Sequence, residues 1–566
     1  MNVSSQVAPS PGQGKPCSIY GWSLGVAMFS MGACGLAYEY TFSKVASDLL
    51  GNSVRQWAIV IAIMLFTMGL GADLQKHVDR KGIADKLIGS QLLLGLSGAF
   101  GPLAMIRVFA WDPVHFALIQ YGFTALVGLL IGFEIPLMLR LNEGKDIDVR
   151  FNIARVLKMD YIGALIGALV WVFVLINFFS ITQIAFLVAL ATFATSAFCT
   201  YLFWPMLRWR SPLLAMLTLS IAATLVGLLQ AQAWANAAEQ ALYRDEVVFS
   251  HTTQYQHIVL TKGAHDRVNC YINGHIQFSS VDEYIYHENL VHPVMTLAPR
   301  RDRVLILGGG DGLALREVLK YPDVREVVLV DIDPAMTRLA CENDYLRELN
   351  AGSLLDARVV NIKNQAIGEP LATALNITKR GLRYDREVSE EVSVSVYNLD
   401  AANFVRQAPG RFNVILMDFP DPNSPDLAKL YSLPFYEAMK QKLTADGLFA
   451  QQSTSPIHAK EVFLCIGRTL EAAGFAAVPY HDNVPSFGEW GWWIGGNARL
   501  YETKSILGMV EEAQTINEHT RYLTPEVMQA SFTFGKGQLQ AERDGITTLT
   551  SSTIYQLYLK AWETTL

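Results

Sequence analysis

The residues with chemistry to offer are carboxylates, and they recur behind apolar runs in the second half of the chain. Asp311 lies inside the cluster Gly308-Gly309-Gly310-Asp311-Gly312, Asp331 follows VVLV, Asp400 and Ala401 follow VYNL, and Asp418 follows VILM with Asp421 three residues on. Such a set repels a phosphorylated dinucleotide, because a phosphate would meet Asp311 in the glycine turn itself. It attracts a ligand that carries a sulfonium and an ammonium group, and it attracts a diamine. A diamine is protonated at neutral pH and attacks carbon only after one nitrogen gives up its proton. A carboxylate within hydrogen-bond reach can take that proton and hold the amine in line. The chemistry implied is displacement at a carbon bound to positively charged sulfur.

These residues need strand ends to converge. Val304–Leu307 has the length and branching of a buried parallel strand, the glycines follow at once, and Leu313–Lys320 then shows helical spacing. A second apolar strand, Glu326–Val330, ends on Asp331, about twenty residues past the glycines, where a doubly wound sheet sets a carboxylate against ribose hydroxyls. A glycine cluster alone also fits a tight turn packing helix on strand, but four acidic strand ends in sequence do not reduce to turns. Ahead of this unit, TTQYQHIVLTKG and RVNCYINGHIQFSS alternate around Asn273-Gly274 as a hairpin, and residues 281–298 read as a helix.

The first half differs in kind. With 566 residues, 51 % hydrophobic content and a positive mean hydropathy, the chain exceeds one domain and implies a membrane portion. A net charge of −7 gives no basic footprint for nucleic acid, so none is expected as a partner. Apolar runs predict seven spans, near 19–40, 57–74, 87–110, 116–139, 161–179, 181–204 and 212–231. The connections at 75–86, 140–160 and 205–211 are basic (Lys76, Arg80, Lys81, Lys86; Arg140, Lys145, Arg150, Arg155, Lys158; Arg208, Arg210), which makes them cytoplasmic. Seven spans then set the remainder outside, whereas its nucleoside chemistry belongs in the cytoplasm, and a cytoplasmic catalytic part is expected. Glu39 and Glu134 fall within spans, as members of a functional site or as helix-end groups near Lys44 and Arg140. Six scattered cysteines signal neither a metal site nor a disulfide framework.

The motifs QYQHIVL (254–260), NGHIQFSSVDEYIYHENLVHP (273–293), VLILGGGDGLALREVLK (304–320), VVLVDIDP (327–334), NLDAANF (398–404), FNVILMDFPDPNSP (412–425), KLYSLPFYEAMKQKL (429–443) and QQSTSP (451–456) together resemble the spermidine synthases, the polyamine aminopropyltransferases. With the spans before them they look like the membrane-bound bacterial branch. The resemblance implies transfer of an aminopropyl group from decarboxylated S-adenosylmethionine, a co-substrate, to an amine, first of all putrescine, giving spermidine and methylthioadenosine with no metal and no further cofactor. It implies that Gln256, Tyr286 and His287 touch donor and acceptor, and that Gly308 and Gly310 shape the nucleoside turn. Asp311 would bind the aminopropyl ammonium, Asp331 the ribose, and Asp400 with Ala401 the adenine. Asp418 would be the base, Asp421 its helper, and Gln452 would line the acceptor pocket. The chain departs from the family at DFPDPNSP, where a DSSDPxGP-like gate is usual, and at Thr454, where a QSESP-like segment has glutamate. A methyltransferase using intact S-adenosylmethionine, and a non-catalytic polyamine sensor or transporter, are the alternatives.

The expected layout is a leader (1–18), a multi-span α-helical membrane domain (19–231) and a connector helix (232–250). A small β-rich subdomain (251–299) then leads into a Rossmann-like, methyltransferase-type α/β domain (300–536) carrying an inserted loop (361–391), and a tail (537–566) closes the chain. Expected partners are the amine, the nucleoside and a lipid bilayer, with homo-oligomerisation open.

Overall fold

The computed structural model describes residues 17–50, 53–79, 81–112, 115–142, 149–356, 358–364, 393–542, 544–551 and 553–563. The chain divides between Arg244 and Asp245 into two compact units.

The first unit is helical. Its long helices are α1 (Cys17–Leu50), α2 (Ser53–Leu74), α3 (Ile83–Trp111), α4 (Phe116–Asn142), α5 (Val149–Val170, continued by a π turn to Phe178), α6 (Ile181–Leu202) and α7 (Arg210–Gln240). Glycines let them approach closely: a Cβ at Gly163 would stand 2.0 Å from the Phe29 carbonyl, and one at Gly132 would stand 2.2 Å from the Met68 carbonyl. The seven expected spans fall on these helices, but among the described residues six, not seven, are long and apolar enough to cross a membrane. The exception is α1. It packs against α2, α3, α5 and α6 and buries Leu24, Met28, Tyr38 and Phe42 among them, so it can carry Glu39, Lys44 and Asp48 without being apolar all round.

The second unit opens with a four-stranded antiparallel sheet, β1 (Glu246–Thr252), β2 (His257–Lys262), β3 (Val268–Ile272) and β4 (His275–Ser279), in that order. Asn273 and Gly274 take φ +51° and +81°, the left-handed pair that a tight hairpin requires. Helix α8 (Glu283–Leu297) leads into an eight-stranded sheet of order β11-β12-β10-β9-β5-β6-β8-β7. Its strands are β5 (Arg303–Gly308), β6 (Glu326–Asp331), β7 (Val359–Asn364), β8 (Ser393–Asn398), β9 (Phe412–Asp418), β10 (Leu443–Gln452), β11 (Phe475–Val484) and β12 (Gly488–Asn497). The six from β10 to β7 run parallel, and β12 and β11 follow antiparallel. On β5, Val304 and Ile306 join the core on one face while Leu305 and Leu307 join the other. Burying these four stabilises the centre by roughly 6–12 kcal/mol, an upper bound because an unfolded chain already hides some of that surface. β5 lies where strand order reverses, the position at which such sheets bind ligands.

Four boundaries need correction. No separate connector occupies 232–250: the Ala- and Gln-rich stretch prolongs α7 to Gln240, as such residues favour helix, and β1 starts at Glu246, ahead of the expected 251. Residues 361–364 of the expected inserted loop belong to β7, an edge strand that needs no continuous apolar run; 365–391 lie outside the described residues. The tail is not featureless, since Thr553–Glu563 is a helix whose Ile554, Tyr555, Leu557 and Tyr558 are buried in the core. Of the leader, residues 17 and 18 already belong to α1, and the rest lies outside the described residues.

Candidate active site

The turn after β5 is clasped from both sides. Gly308 has φ +88°, and a Cβ on it would lie 2.1 Å from the carbonyl oxygen of Asp418, its register partner on β9. A Cβ on Gly310 would lie 2.6 Å from the carboxyl carbon of Asp331 at the end of β6. The Gly310 N–H donates to Asp331 Oδ2 at 2.9 Å and the Asp333 N–H donates to Oδ1 at 2.8 Å. Burial nevertheless raises the Asp331 carboxyl to about 7. Asp311 is raised to about 6, chiefly by burial, with the Asp418 charge adding to the rise and His287 opposing it; its Oδ1 accepts from the Leu313 N–H at 2.9 Å.

Helix α8 supplies the roof. Tyr286 donates its hydroxyl to Asp418 Oδ1 at 2.6 Å, and its ring leans on Trp492 and Phe487. One residue on, His287 Nδ1 faces Glu283 Oε2 at 3.0 Å, an i,i+4 pair, and Arg316 grips the same carboxylate at 2.8 and 3.0 Å. Burial works against the imidazolium, but the Glu283 bond and charge, with those of Asp418 and Asp311, raise His287 to about 9. The site therefore keeps a fixed cation among its carboxylates at neutral pH.

A second cluster forms past β9. Thr454 Oγ1 donates to Asp421 Oδ2 at 3.0 Å, and Gln452 Nε2 reaches Asp421 Oδ1 at 3.4 Å and the Tyr431 hydroxyl at 3.0 Å. Gln452 also donates to the Phe419 carbonyl. Burial raises Asp421 to about 6, against hydrogen bonds from Thr454, Gln452 and Tyr558. Thr454 holds φ +58°, unusual for a β-branched residue; its N–H bonds Gln452 Oε1 at 3.0 Å and its carbonyl accepts from Gly491 at 2.9 Å, which offsets the strain. Where the sequence reading saw only a lost anion, the threonine hydroxyl has become a donor to Asp421.

Asp400 caps the helix Ala401–Gln407 through the Asn403 N–H at 2.9 Å and pairs with Lys429 at 2.8 Å; the Lys429 bond holds its carboxyl low against the effect of partial burial. Gln256 stands with Asp333: Thr253 accepts from the Gln256 N–H at 3.0 Å and donates to Asp333 Oδ2 at 2.9 Å.

Across residues 283–499 the chain matches the model of the Spermine/spermidine synthase domain. It is similar to a polyamine aminopropyltransferase of Oceanobacillus iheyensis, at 34 % identity over 96 % of this chain and 97 % of the relative. A second such relative, from Aquifex aeolicus, is 32 % identical over 95 % of this chain and 98 % of its own length. The chain belongs to the polyamine aminopropyltransferase family. Among solved structures, the spermidine synthase from Thermotoga maritima is similar at 23 % identity and a TM-score of 0.39, over 52 % of this chain and 87 % of that one.

Within this aminopropyltransferase the fold brings Gly308, Gly310, Asp311, Asp331, Asp418, Tyr286 and His287 to one turn. Asp421 and Gln452 form the adjoining cluster, and Asp400 with Ala401 opens the helix after β8. Glu283, Asp333, Tyr431 and Tyr558 join these groups without belonging to the acidic strand ends. Asp333 had a signal, an N-cap aspartate followed by proline at the first helical position. Tyr558 had none, being more than a hundred residues from its partner in sequence. His292, without an assigned role from sequence, is buried between Tyr321 (2.7 Å) and Glu317 (2.8 Å).

Proposed function

We propose that the protein transfers the aminopropyl group of decarboxylated S-adenosylmethionine to putrescine. The observation that supports this most is the single glycine turn held against Asp418 on one side and Asp331 on the other. Asp311 takes the donor's ammonium, Asp331 its ribose hydroxyls, and Asp400 with Ala401 its adenine. Asp418, oriented by Tyr286, removes a proton from the acceptor ammonium. The freed nitrogen attacks the aminopropyl carbon next to sulfur, the C–S bond breaks, and its electron pair returns to sulfur as neutral methylthioadenosine. The product amine keeps the positive charge. Asp421, Gln452 and Thr454 hold the far ammonium of the diamine. Incubating the purified chain with donor and a panel of amines, followed by mass identification of products, should give spermidine from putrescine as the major product; aminopropylation of another amine alone would reassign the acceptor.

Two further expectations follow from the same groups. Asp311 near 6 and Asp331 near 7 are partly protonated at pH 6, and a bound ammonium favours their ionised forms. Donor binding should therefore release protons at pH 6 and weaken as pH falls from about 7.5 to 5, which calorimetry in buffers of different ionisation heat reads directly. Both values lie above those of an unfolded chain. In the empty protein these carboxyls thus favour the fold most at low pH, and that contribution fades as pH rises through about 6 to 7. Tyr558→Phe removes a donor to Asp421, and a hydrogen bond to a charged group is worth about 1.5–3 kcal/mol. We expect KM for the amine to rise about tenfold or more with donor affinity unchanged, as steady-state kinetics will show.

The helical unit is proposed to span a bilayer. Its surface exposes Trp22, Leu65, Phe66, Leu118, Phe173, Phe178, Leu219 and Leu229, far more apolar area than water tolerates. Trp111 and Trp209, 89 % and 66 % exposed, stand at helix ends, where interfacial anchors belong. The donor is a nucleoside made inside the cell, which assigns the catalytic unit to the cytoplasm. Loop charge points the other way, because five apolar helices, α3 to α7, separate the basic 75–82 connection from Asp245. An alkaline phosphatase fusion at the C-terminus should be inactive and a fluorescent one bright; an active phosphatase would reverse the assignment.

A further inference from the structure

Glu134, on α4, is 3 % exposed inside the helical unit, and among the described residues no Lys or Arg forms an ion pair with it. Arg140, one and a half turns on, spends its guanidinium on the Gln75 and Val78 carbonyls at 2.9 Å each, so this basic neighbour does not serve Glu134. The groups acting on the Glu134 carboxyl come from several helices: Asp160 of α5, Gln91 of α3, Cys34 and Tyr38 of α1, and Cys199 of α6. Asp160 is itself pressed on α1, since a Cβ at Gly32 would lie 2.8 Å from its Oδ1. An uncompensated carboxylate in an apolar bundle is costly, and ionisable groups so placed mark sites of function.

A second observation points to a ligand. Gln91, 1 % exposed, turns its amide N–H toward the Glu134 carboxyl and leaves its Oε1 without a hydrogen bond, and Ser196 Oγ, on the same face of α6 as Cys199, is likewise buried and unmatched. A buried polar atom left without a partner is costly, so such atoms need one. A proton on Glu134 supplies a single O–H donor, enough for the Gln91 oxygen alone, and brings nothing to the Ser196 hydroxyl or to Asp160. A primary ammonium brings one positive charge and three N–H donors, which match a carboxylate, an amide oxygen and a hydroxyl.

We propose that Glu134 and Gln91, with Asp160 beside them, form a second binding site, in the helical unit, for the primary ammonium group of an amine. The choice of amine rests on the transfer reaction proposed above, whose substrate and product both carry that group; the site itself does not.

The test is equilibrium binding of labelled putrescine and, separately, labelled spermidine to the full chain in lipid nanodiscs. The wild type should bind two amines per chain and Glu134→Gln one, with the rate of aminopropyl transfer unchanged as proof of folding. Gln91→Leu should weaken the second site about tenfold. The arm that shows the second site identifies its source as acceptor or product. Equal stoichiometry in wild type and Glu134→Gln, with transfer intact in both, overturns this proposal and leaves the transfer reading standing. Displacement by sodium chloride but not by choline chloride would make it an alkali-cation site and overturn the ammonium assignment. Two bound amines without any transfer would overturn the transfer reading instead.

Discussion

Asp418→Asn should slow aminopropyl transfer by about 10²–10⁴-fold, the range a positioned general base supplies. The amide keeps an oxygen to accept from Tyr286, now 2.6 Å from Oδ1, so the roof of the site should stay in place. Asp331 and Asp311 are untouched, and donor affinity should change little. Single-turnover kinetics beside donor calorimetry separate the two quantities. Near-normal turnover would remove Asp418 from its role, and a parallel collapse of donor binding would make it a ligand for the donor.

Gly308→Ala should cost about 2–5 kcal/mol of stability. Holding a residue with a Cβ in the left-handed region costs roughly 1–2 kcal/mol. The added methyl, 2.1 Å from the Asp418 carbonyl, must also force β5 and β9 apart, and overpacking of that kind costs about 1–3 kcal/mol. Gly274→Ala is the control, because Gly274 has φ +81° with nothing within 4 Å of its Cβ and should show only the backbone part. Thermal inactivation of transfer activity compares them. Equal losses would mean that the close approach of β9 contributes nothing.

Much of the catalytic unit was legible because its signals are local. The run Val304–Leu307, the glycines behind it and Asp331 lie within one strand–turn–helix–strand unit, and the hairpin at Asn273-Gly274 announces itself through residues that tolerate positive φ. β7 was hidden because an edge strand lacks the apolar run of a central one. The pairing of β11 with β12 was hidden because only sheet order reveals it. In the site, the carboxylates could be named from strand ends, but their settings could not. That Arg316 holds Glu283 under His287, or that Tyr558 reaches Asp421 from the last helix, depends on residues brought together across long stretches of chain. The helical unit repeats the lesson. Apolar runs located its helices, yet they could not show that Glu134 is isolated because Arg140 turns to Gln75 and Val78.

The most direct test of the acidic cup is the affinity of the full chain for decarboxylated against intact S-adenosylmethionine, measured by calorimetry with methylthioadenosine release followed in parallel. Intact S-adenosylmethionine carries a carboxylate beside the ammonium that Asp311 is proposed to hold, close to the Asp418 charge. The decarboxylated donor should therefore bind at least a hundredfold more tightly, and it alone should yield methylthioadenosine when putrescine is present. Equal or stronger binding of the intact compound, with methyl transfer to an acceptor, would contradict aminopropyl transfer and make the protein a methyltransferase.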